Sequence, residues 1–247
     1  PFLKRVYTPE KFPMHITQLA REPHANPDSI AYLAFTSGTT GKPKCVMHSC
    51  NTLLANARDL VRDWNIDASS TMLTLSPLSH HIAWVAVGQW LVCGCELVTD
   101  DPPKDMSRLD WIVATNAVYV MGVPTHAMDI LAEQRRRKID RLGDVRIFYM
   151  AGSPIPEVVA KSFVDQGITP QNIYGMTESS SHQYTHPDDP ENIWISTCGR
   201  GGPAYEVKIW DRDNPDQEAP AGKTGEIGGR GAALMLGYYS NQAATEK

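Results

Sequence analysis

Short apolar runs recur along the chain between amphipathic stretches. "IAYLAF" (Ile30 to Phe35) and "TMLTLS" (Thr71 to Ser76) read as buried strands, and "NTLLANARDLVRDW" between them has helical spacing, with Leu53, Leu54, Ala57, Leu60, Val61 and Trp64 on one side. These segments predict a strand, helix, strand unit. The alternation continues through "IAWVAVGQWLVC", "CELVT", "RLDWIVATN", "AVYVMG", "THAMDILAEQRRR", "VRIFYMAG", "PEVVAKSFVDQG" and "QNIYG". It predicts an α/β fold, a layered and mostly parallel sheet with flanking helices. Near His186 the pattern changes. "HPDDPEN" is turn-rich, and the β-type runs "YEVKIWD" and "GEIGGRGAALMLGYY" follow, broken by "RDNPDQEAPAGKTG". The expected organisation is a lead-in over 1–29, an α/β subdomain over 30–186 and a small, incomplete β subdomain over 187–247.

Composition narrows the classes. With 247 residues, 42% of them hydrophobic, the chain can bury a sizeable core. The net charge of −5 is mild, and lysine and arginine are scattered except at Arg135, Arg136, Arg137 and Lys138. Electrostatics therefore give no reason to expect nucleic acid or an anionic membrane as a partner, and the basic run reads as the solvated C-terminal end of a helix. Five cysteines without CxxC spacing argue against a disulfide framework or a zinc ribbon. Cys93 and Cys95 would share a face if they lay on a strand, but they read as small buried hydrophobes rather than a metal clip. No apolar run reaches the ~20 residues of a membrane span, and "PFLKRVYTPEKF" lacks the apolar segment of a secretory signal. A cytoplasmic protein is expected.

Three stretches carry candidate chemistry. In "AFTSGTTGKPKCVMHS" (Ala34 to Ser49), Gly38 and Gly41 permit close backbone approach, Thr36, Ser37, Thr39 and Thr40 offer hydroxyl donors, and Lys42 and Lys44 supply charge. Placed after a strand, such a loop suits a triphosphate at the strand's carboxyl end. It is not the GxxxxGK[ST] loop, because the glycine spacing is too short and Pro43 stands where a helix-opening Ser or Thr belongs. A plain Gly/Ser/Thr linker is the bland alternative, and the flanking apolar strands argue against it. "AGSPIP" (Ala151 to Pro156) closes the strand "VRIFYM", with Pro156 and Glu157 opening a helix, so Ser153 and its neighbours face the same edge. In "NIYGMTES" (Asn172 to Ser179), Tyr174 offers a ring to stack on a base, Thr177 a hydroxyl for a phosphate, and Glu178 a hard oxygen ligand suited to magnesium. Each of these is ambiguous alone, since a lone Tyr is usually packing and a lone Glu solvated. His182 and His186 have the spacing of a helical metal pair, but Ser-rich flanks and Pro187 argue against a helix there, and no GxSxG elbow supports a hydrolase.

"TSGTTGKPK", "AGSPIP" and "NIYGMTES" together, in this order, resemble the signature loops of the adenylate-forming superfamily, which holds acyl- and aryl-CoA synthetases, firefly luciferase and the adenylation domains of peptide synthetases. The resemblance implies that Thr36, Ser37, Gly38, Thr39, Thr40, Gly41 and Lys44 hold the β- and γ-phosphates of ATP. It implies that Gly152, Ser153, Pro154, Tyr174 and Gly175 hold adenine, that Thr177 contacts the α-phosphate, and that Glu178 coordinates magnesium (Mg2+). Thr177, Glu178 and Lys44 are the implied catalytic residues. "PLSHHIAW" (Pro77 to Trp84) is similar to the family's acyl-pocket segment and selects His80 over His81, with Trp84 one helical turn on; Val123 and Met176 would complete the pocket. The plainer alternative has His80 capping a strand-to-helix corner.

The implied activity is that of an ATP-dependent acyl- or aryl-CoA ligase, with ATP and coenzyme A as co-substrates and a small carboxylic acid as partner. Homo-oligomer formation is left open. "YGMTESSSHQYTHPDD" and "CGRGGPAYEVKIWD" resemble ligases of the cyclohexanecarboxylate and aryl-acid type and those for short to medium acids, which would place the protein in fatty acid metabolism. A peptide-synthetase-type adenylation domain and a non-catalytic nucleotide- or acyl-binding module are the alternatives. Family members have a longer segment before the phosphate loop, then a TGD-type segment and a lysine-bearing C-terminal domain after the β subdomain. The 247 residues are therefore expected to be a middle slice of such a protein.

Overall fold

A computed structural model describes residues 26–36 and 43–246, and its first two strands depart from the expected layout. β1 (Ile30–Thr36) pairs antiparallel with β2 (Lys44–Ser49), with Thr36 opposite Lys44 at one end of the ladder. "IAYLAF" is thus not a strand of the parallel sheet, and it is covered on one face only: Tyr32 and Ala34 are buried, whereas Phe35 is 75% exposed and Ile30 and Leu33 are about half exposed. A strand covered on one face alternates in this way, and an apolar run alone does not distinguish it from a strand covered on both. The strand "KCVMHS" was not anticipated, because its polar ends mask its alternation.

The chain continues as α1 (Cys50–Asp63), β3 (Thr71–Thr74), α2 (His81–Cys93), β4 (Glu96–Thr99), α3 (Arg108–Ala114), β5 (Tyr119–Gly122), α4 (Pro124–Arg137), β6 (Ile147–Met150), α5 (Glu157–Val164), β7 (Thr169–Met176) and β8 (Ser180–Tyr184). The six strands from β3 onward form one sheet in the order β4-β3-β5-β6-β7-β8. All are parallel except β8, which runs back antiparallel along β7. This is the expected α/β architecture. β8 escaped the hydrophobic pattern because "SSHQY" is polar, although all but one of its residues are buried.

Successive residues of the central strands point to opposite faces and build two cores. Leu73, Val120 and Phe148 join Ile130 and Phe163 on one side. Met72, Tyr119, Met121 and Tyr149 join Leu60, Ile82 and Val85 on the other. Helix ends follow their local chemistry. Ser49 and Thr52 form a capping box at α1, and Gly94 (φ 71°) closes α2 in the left-handed conformation. Cys93 therefore ends a helix and the buried Cys95 lies beyond the turn, so the two do not share a strand face. Arg135, Arg136 and Arg137 occupy the last turn of α4, as the basic run suggested.

The remaining segment holds α6 (Glu191–Ser196), the antiparallel pair β9 (Tyr205–Trp210) and β10 (Glu226–Gly231), β11 (Gly237–Tyr238) and α7 (Gln242–Thr245). β11 pairs with β2, Gly237 opposite Met47 and Tyr238 opposite Val46, so the segments on either side of residue 186 share a three-stranded sheet. Among the described residues no helix is long and apolar enough to cross a membrane.

Candidate functional site

The carboxyl ends of β6 and β7 open onto two cavities that meet. The first, about 430 Å3, is lined by Gly152, Ser153, Pro154, Tyr174 and Gly175, with Thr197 and Cys198 beyond α6 closing it. The second, about 410 Å3, is lined by Thr36, His80, Met176, Thr177 and Glu178 over the apolar floor of Ile82 and Val85. Gly152, Ile173 and Gly175 line both. Gly152 turns the chain off β6 at φ 94°, a left-handed angle that favours glycine. At Gly175 the β7–β8 register shifts, and a Cβ there would drive into the Ser180 carbonyl oxygen.

All five residues expected to hold adenine border the first cavity. Sequence reasoning missed Asn172, which lines it too: its Nδ2 donates to the Trp194 carbonyl, and its buried Oδ1 has no partner among the described residues. Tyr174 is braced from below. The His182 ring meets it edge-on at 5.3 Å and stacks on Tyr205 at 4.3 Å. Burial pushes the His182 imidazole down to about 4. It sits on β8 with His186 past the strand's end, so the two histidines are not a helical pair.

The residues expected at the acyl pocket divide. His80 and Met176 line the second cavity. His80 is also the N-cap of α2, its Nδ1 accepting from Ile82 N at 3.2 Å, so the capping role weighed for it is real. Trp84 is not on the cavity wall; its Nε1 donates to the Leu78 carbonyl at 2.9 Å and its ring packs on Tyr32 at 4.8 Å. One helical turn from His80 places it toward β1 instead. Val123, the residue before α4, approaches Gly152 rather than lining this cavity.

His81, set aside in favour of His80, lines the second cavity while buried against β8. Its Nε2 bonds Ser180 Oγ at 3.0 Å, and its ring stacks on His48 at 5.5 Å. Burial, then the nearby His48 and His80, push it down to about 3. His48 holds the Thr177 carbonyl through Nε2 at 2.7 Å. A carbonyl only accepts, so Nε2 carries the proton and Nδ1 accepts from Thr52 Oγ1 at 2.9 Å. Burial lowers this imidazole as well.

The candidate metal carboxylate also has a partner that the sequence did not signal. Glu178 Oε1 accepts from the Tyr238 hydroxyl at 2.7 Å, and Lys44 Nζ stands 4.7 Å from the centre of the Tyr238 ring. Thr36 and Lys44 face each other across the β1–β2 ladder rather than opening a strand-to-helix turn at the edge of the parallel sheet. Ser37, Gly38, Thr39, Thr40 and Gly41 lie outside the described residues. Among the described residues no three His, Cys, Asp or Glu side chains cluster as a metal cage. Glu178 would instead hold magnesium as one carboxylate beside substrate phosphates and water, a common arrangement for this ion.

Comparison with known proteins gives the family and relatives of the chain. The sequence profile of the family described as "AMP-binding enzyme" matches residues 4–239. A medium-chain fatty-acid–CoA ligase from Escherichia coli (strain K12) is 28% identical over 221 residues, 89% of this chain and 38% of that protein. An O-succinylbenzoate coenzyme A synthetase from Bacillus subtilis, solved in complex with AMP, superposes with a TM-score of 0.78 at 25% identity, over 90% of this chain and 44% of that one. A long-chain-fatty-acid–CoA ligase from Archaeoglobus fulgidus shares the fold with a TM-score of 0.78 at 21% identity, over 90% of this chain and 46% of that one. The chain thus spans less than half the length of these relatives.

Proposed function

The chain belongs to the AMP-binding enzyme family, and from that membership we propose that the intact protein is an ATP-dependent acid–CoA ligase. A carboxylate oxygen attacks the α-phosphorus of ATP and pyrophosphate leaves; the thiol of coenzyme A then attacks the acyl carbonyl of the adenylate, and AMP and a proton are released. The observation that carries this reading is the pair of cavities meeting at Gly152, Ile173 and Gly175. A base in the first and an acid in the second would bring the α-phosphate to their junction.

Tyr174 offers its ring face to the base, and Asn172, Ser153 and Gly175 border the same cavity. Thr177, held through its carbonyl by His48, presents its hydroxyl to the phosphate. Glu178 would hold magnesium, which supplies charge neutralisation at the phosphates. Lys44 adds a positive charge on the same side, so positioning and electrostatics carry the rate. The wall of Ile82, Val85 and Met176 favours an apolar acid, in keeping with a place in fatty acid metabolism. Five free thiols suit a reducing cytoplasm.

Acid-dependent exchange of labelled pyrophosphate into ATP by the intact protein, screened across apolar and aromatic carboxylic acids, tests the reading. Exchange without coenzyme A is expected, with AMP release accelerating once it is added. Exchange with no acid tried would overturn the proposal. Glu178→Gln should lower kcat about a hundredfold, a loss of ~3 kcal/mol at the transition state.

A further inference from the structure

β11 is only two residues long, yet it joins the two elements that bear the candidate charges. Its ladder with β2 is extended by Leu236 N donating to the Met47 carbonyl and Tyr239 N to the Cys45 carbonyl, each at 2.8 Å. On the other side Met235 N donates to the Glu178 carbonyl at 2.7 Å. The same short stretch is therefore pinned to the strand carrying Lys44 and to the loop carrying Glu178. Tyr238 is itself held, because its backbone N donates to Thr245 Oγ1 at 2.9 Å. From that fixed point its hydroxyl reaches Glu178 Oε1 and its ring lies beside Lys44 Nζ.

We propose that Tyr238 is a positioning residue that ties one oxygen of Glu178 and sets the Lys44 ammonium, so that the second carboxylate oxygen and the positive charge are presented together to the metal–phosphate group of the nucleotide. The inference rests on the ligase reading above. Its physical basis is preorganisation. A half-buried glutamate free to rotate loses side-chain entropy when it takes up an ion, and a carboxylate already bonded to a fixed phenol has lost most of that freedom beforehand. The ring does the same for the long lysine chain through the cation–π contact. A tyrosine that served only to pack β11 would contribute to stability without distinguishing metal-bound from metal-free nucleotide.

That distinction provides the test. In the intact protein, Kd would be measured by calorimetry for Mn2+–ATP and for ATP in excess chelator. Tyr238→Phe keeps the ring and removes the hydroxyl; it should weaken Mn2+–ATP about tenfold while metal-free ATP stays within twofold. Tyr238→Leu should weaken metal-free ATP as well, because Lys44 loses its support. Should the leucine variant fail to fold, the isosteric phenylalanine variant decides alone. If it binds Mn2+–ATP within twofold of wild type, or loses as much without metal, the proposal is overturned. Glu178→Gln separates the two readings. If it weakens Mn2+–ATP while Tyr238→Phe does not, only the role of Tyr238 falls. If it leaves Mn2+–ATP binding unchanged, or if the wild type binds no ATP, the reading of the site falls and the role of Tyr238 with it.

Discussion

Buried imidazoles set the acid limit of this molecule at the scale of single residues. His81 and His182 are held down to about 3 and about 4, so both are neutral in the fold, whereas in the unfolded chain they take up protons near pH 6.5. Their contribution to stability is therefore complete above about pH 6.5 and is lost as pH falls toward the folded values. At ~1.4 kcal/mol per pH unit for each group below about pH 6.5, the two should lower the unfolding free energy by roughly 4 kcal/mol between pH 7 and pH 5. Urea titrations at pH 7, 6 and 5 would measure this, and His81→Gln should remove about half of the pH dependence. An unchanged slope in that variant would mean that His81 is protonated in the fold. Gly152, Ser153, Pro154, Tyr174 and Gly175 were legible as a group through the resemblance of "AGSPIP" and "NIYGMTES" to the family's loops; the first three follow the end of β6, whereas Tyr174 and Gly175 lie within β7. Asn172 carried no signal of its own, since only the folding of β7 beside α6 brings it to the cavity wall. His48 and Tyr238 gave no local signal, because their partners lie 129 and 60 residues away.

At the scale of elements, the β7–β8 hairpin depends on a backbone approach that a side chain forbids. Gly175→Ala would place a methyl against the Ser180 carbonyl, and neither strand can yield without disturbing the ladder. A loss of about 3 kcal/mol is expected, at the upper end of overpacking costs. Thermal unfolding measures it, and a Tm within a degree of wild type would show that the hairpin can relax around the added carbon. The first two strands teach a related lesson. Between Ile30 and Ser76 the apolar runs predicted strand, helix, strand in one sheet; the chain instead makes an antiparallel pair before α1 and sends only β3 into the parallel sheet. Periodicity identified β1 as a strand and could not identify its sheet, because its partner β2 hides its alternation behind polar ends and the sheet's third strand, β11, lies almost two hundred residues on in the order of the chain.

At the scale of the whole molecule, the large sheet separates support from chemistry. Phe148 faces the side away from the cavities, fully buried and stacked on Phe163 at 4.3 Å, while its neighbour Tyr149 lines the second cavity and bonds Ser181 Oγ at 2.6 Å. Phe148→Ala should cost about 3–5 kcal/mol, seen as a lower urea midpoint with an unchanged m-value. Affinity for ATP should stay within twofold below the transition. A large loss of affinity under folded conditions would mean that the two faces are mechanically coupled.

The sequence by itself determined the α/β class, the parallel core from β3 to β7 and the basic last turn of α4. All of these follow from spacing over a few residues: the two-residue repeat of a strand, the helical repeat, and glycine or proline where the backbone must turn. Tertiary structure alone decided which runs share a sheet, that Trp84 packs on Tyr32 while His81 borders the cavity, and that Glu178, Lys44 and Tyr238 meet. Those outcomes belong to contacts between segments far apart in the chain. A hydrogen bond such as that from Tyr238 to Glu178 leaves no periodicity in the sequence, because its geometry is set by the packing of whole elements rather than by the neighbours of either residue.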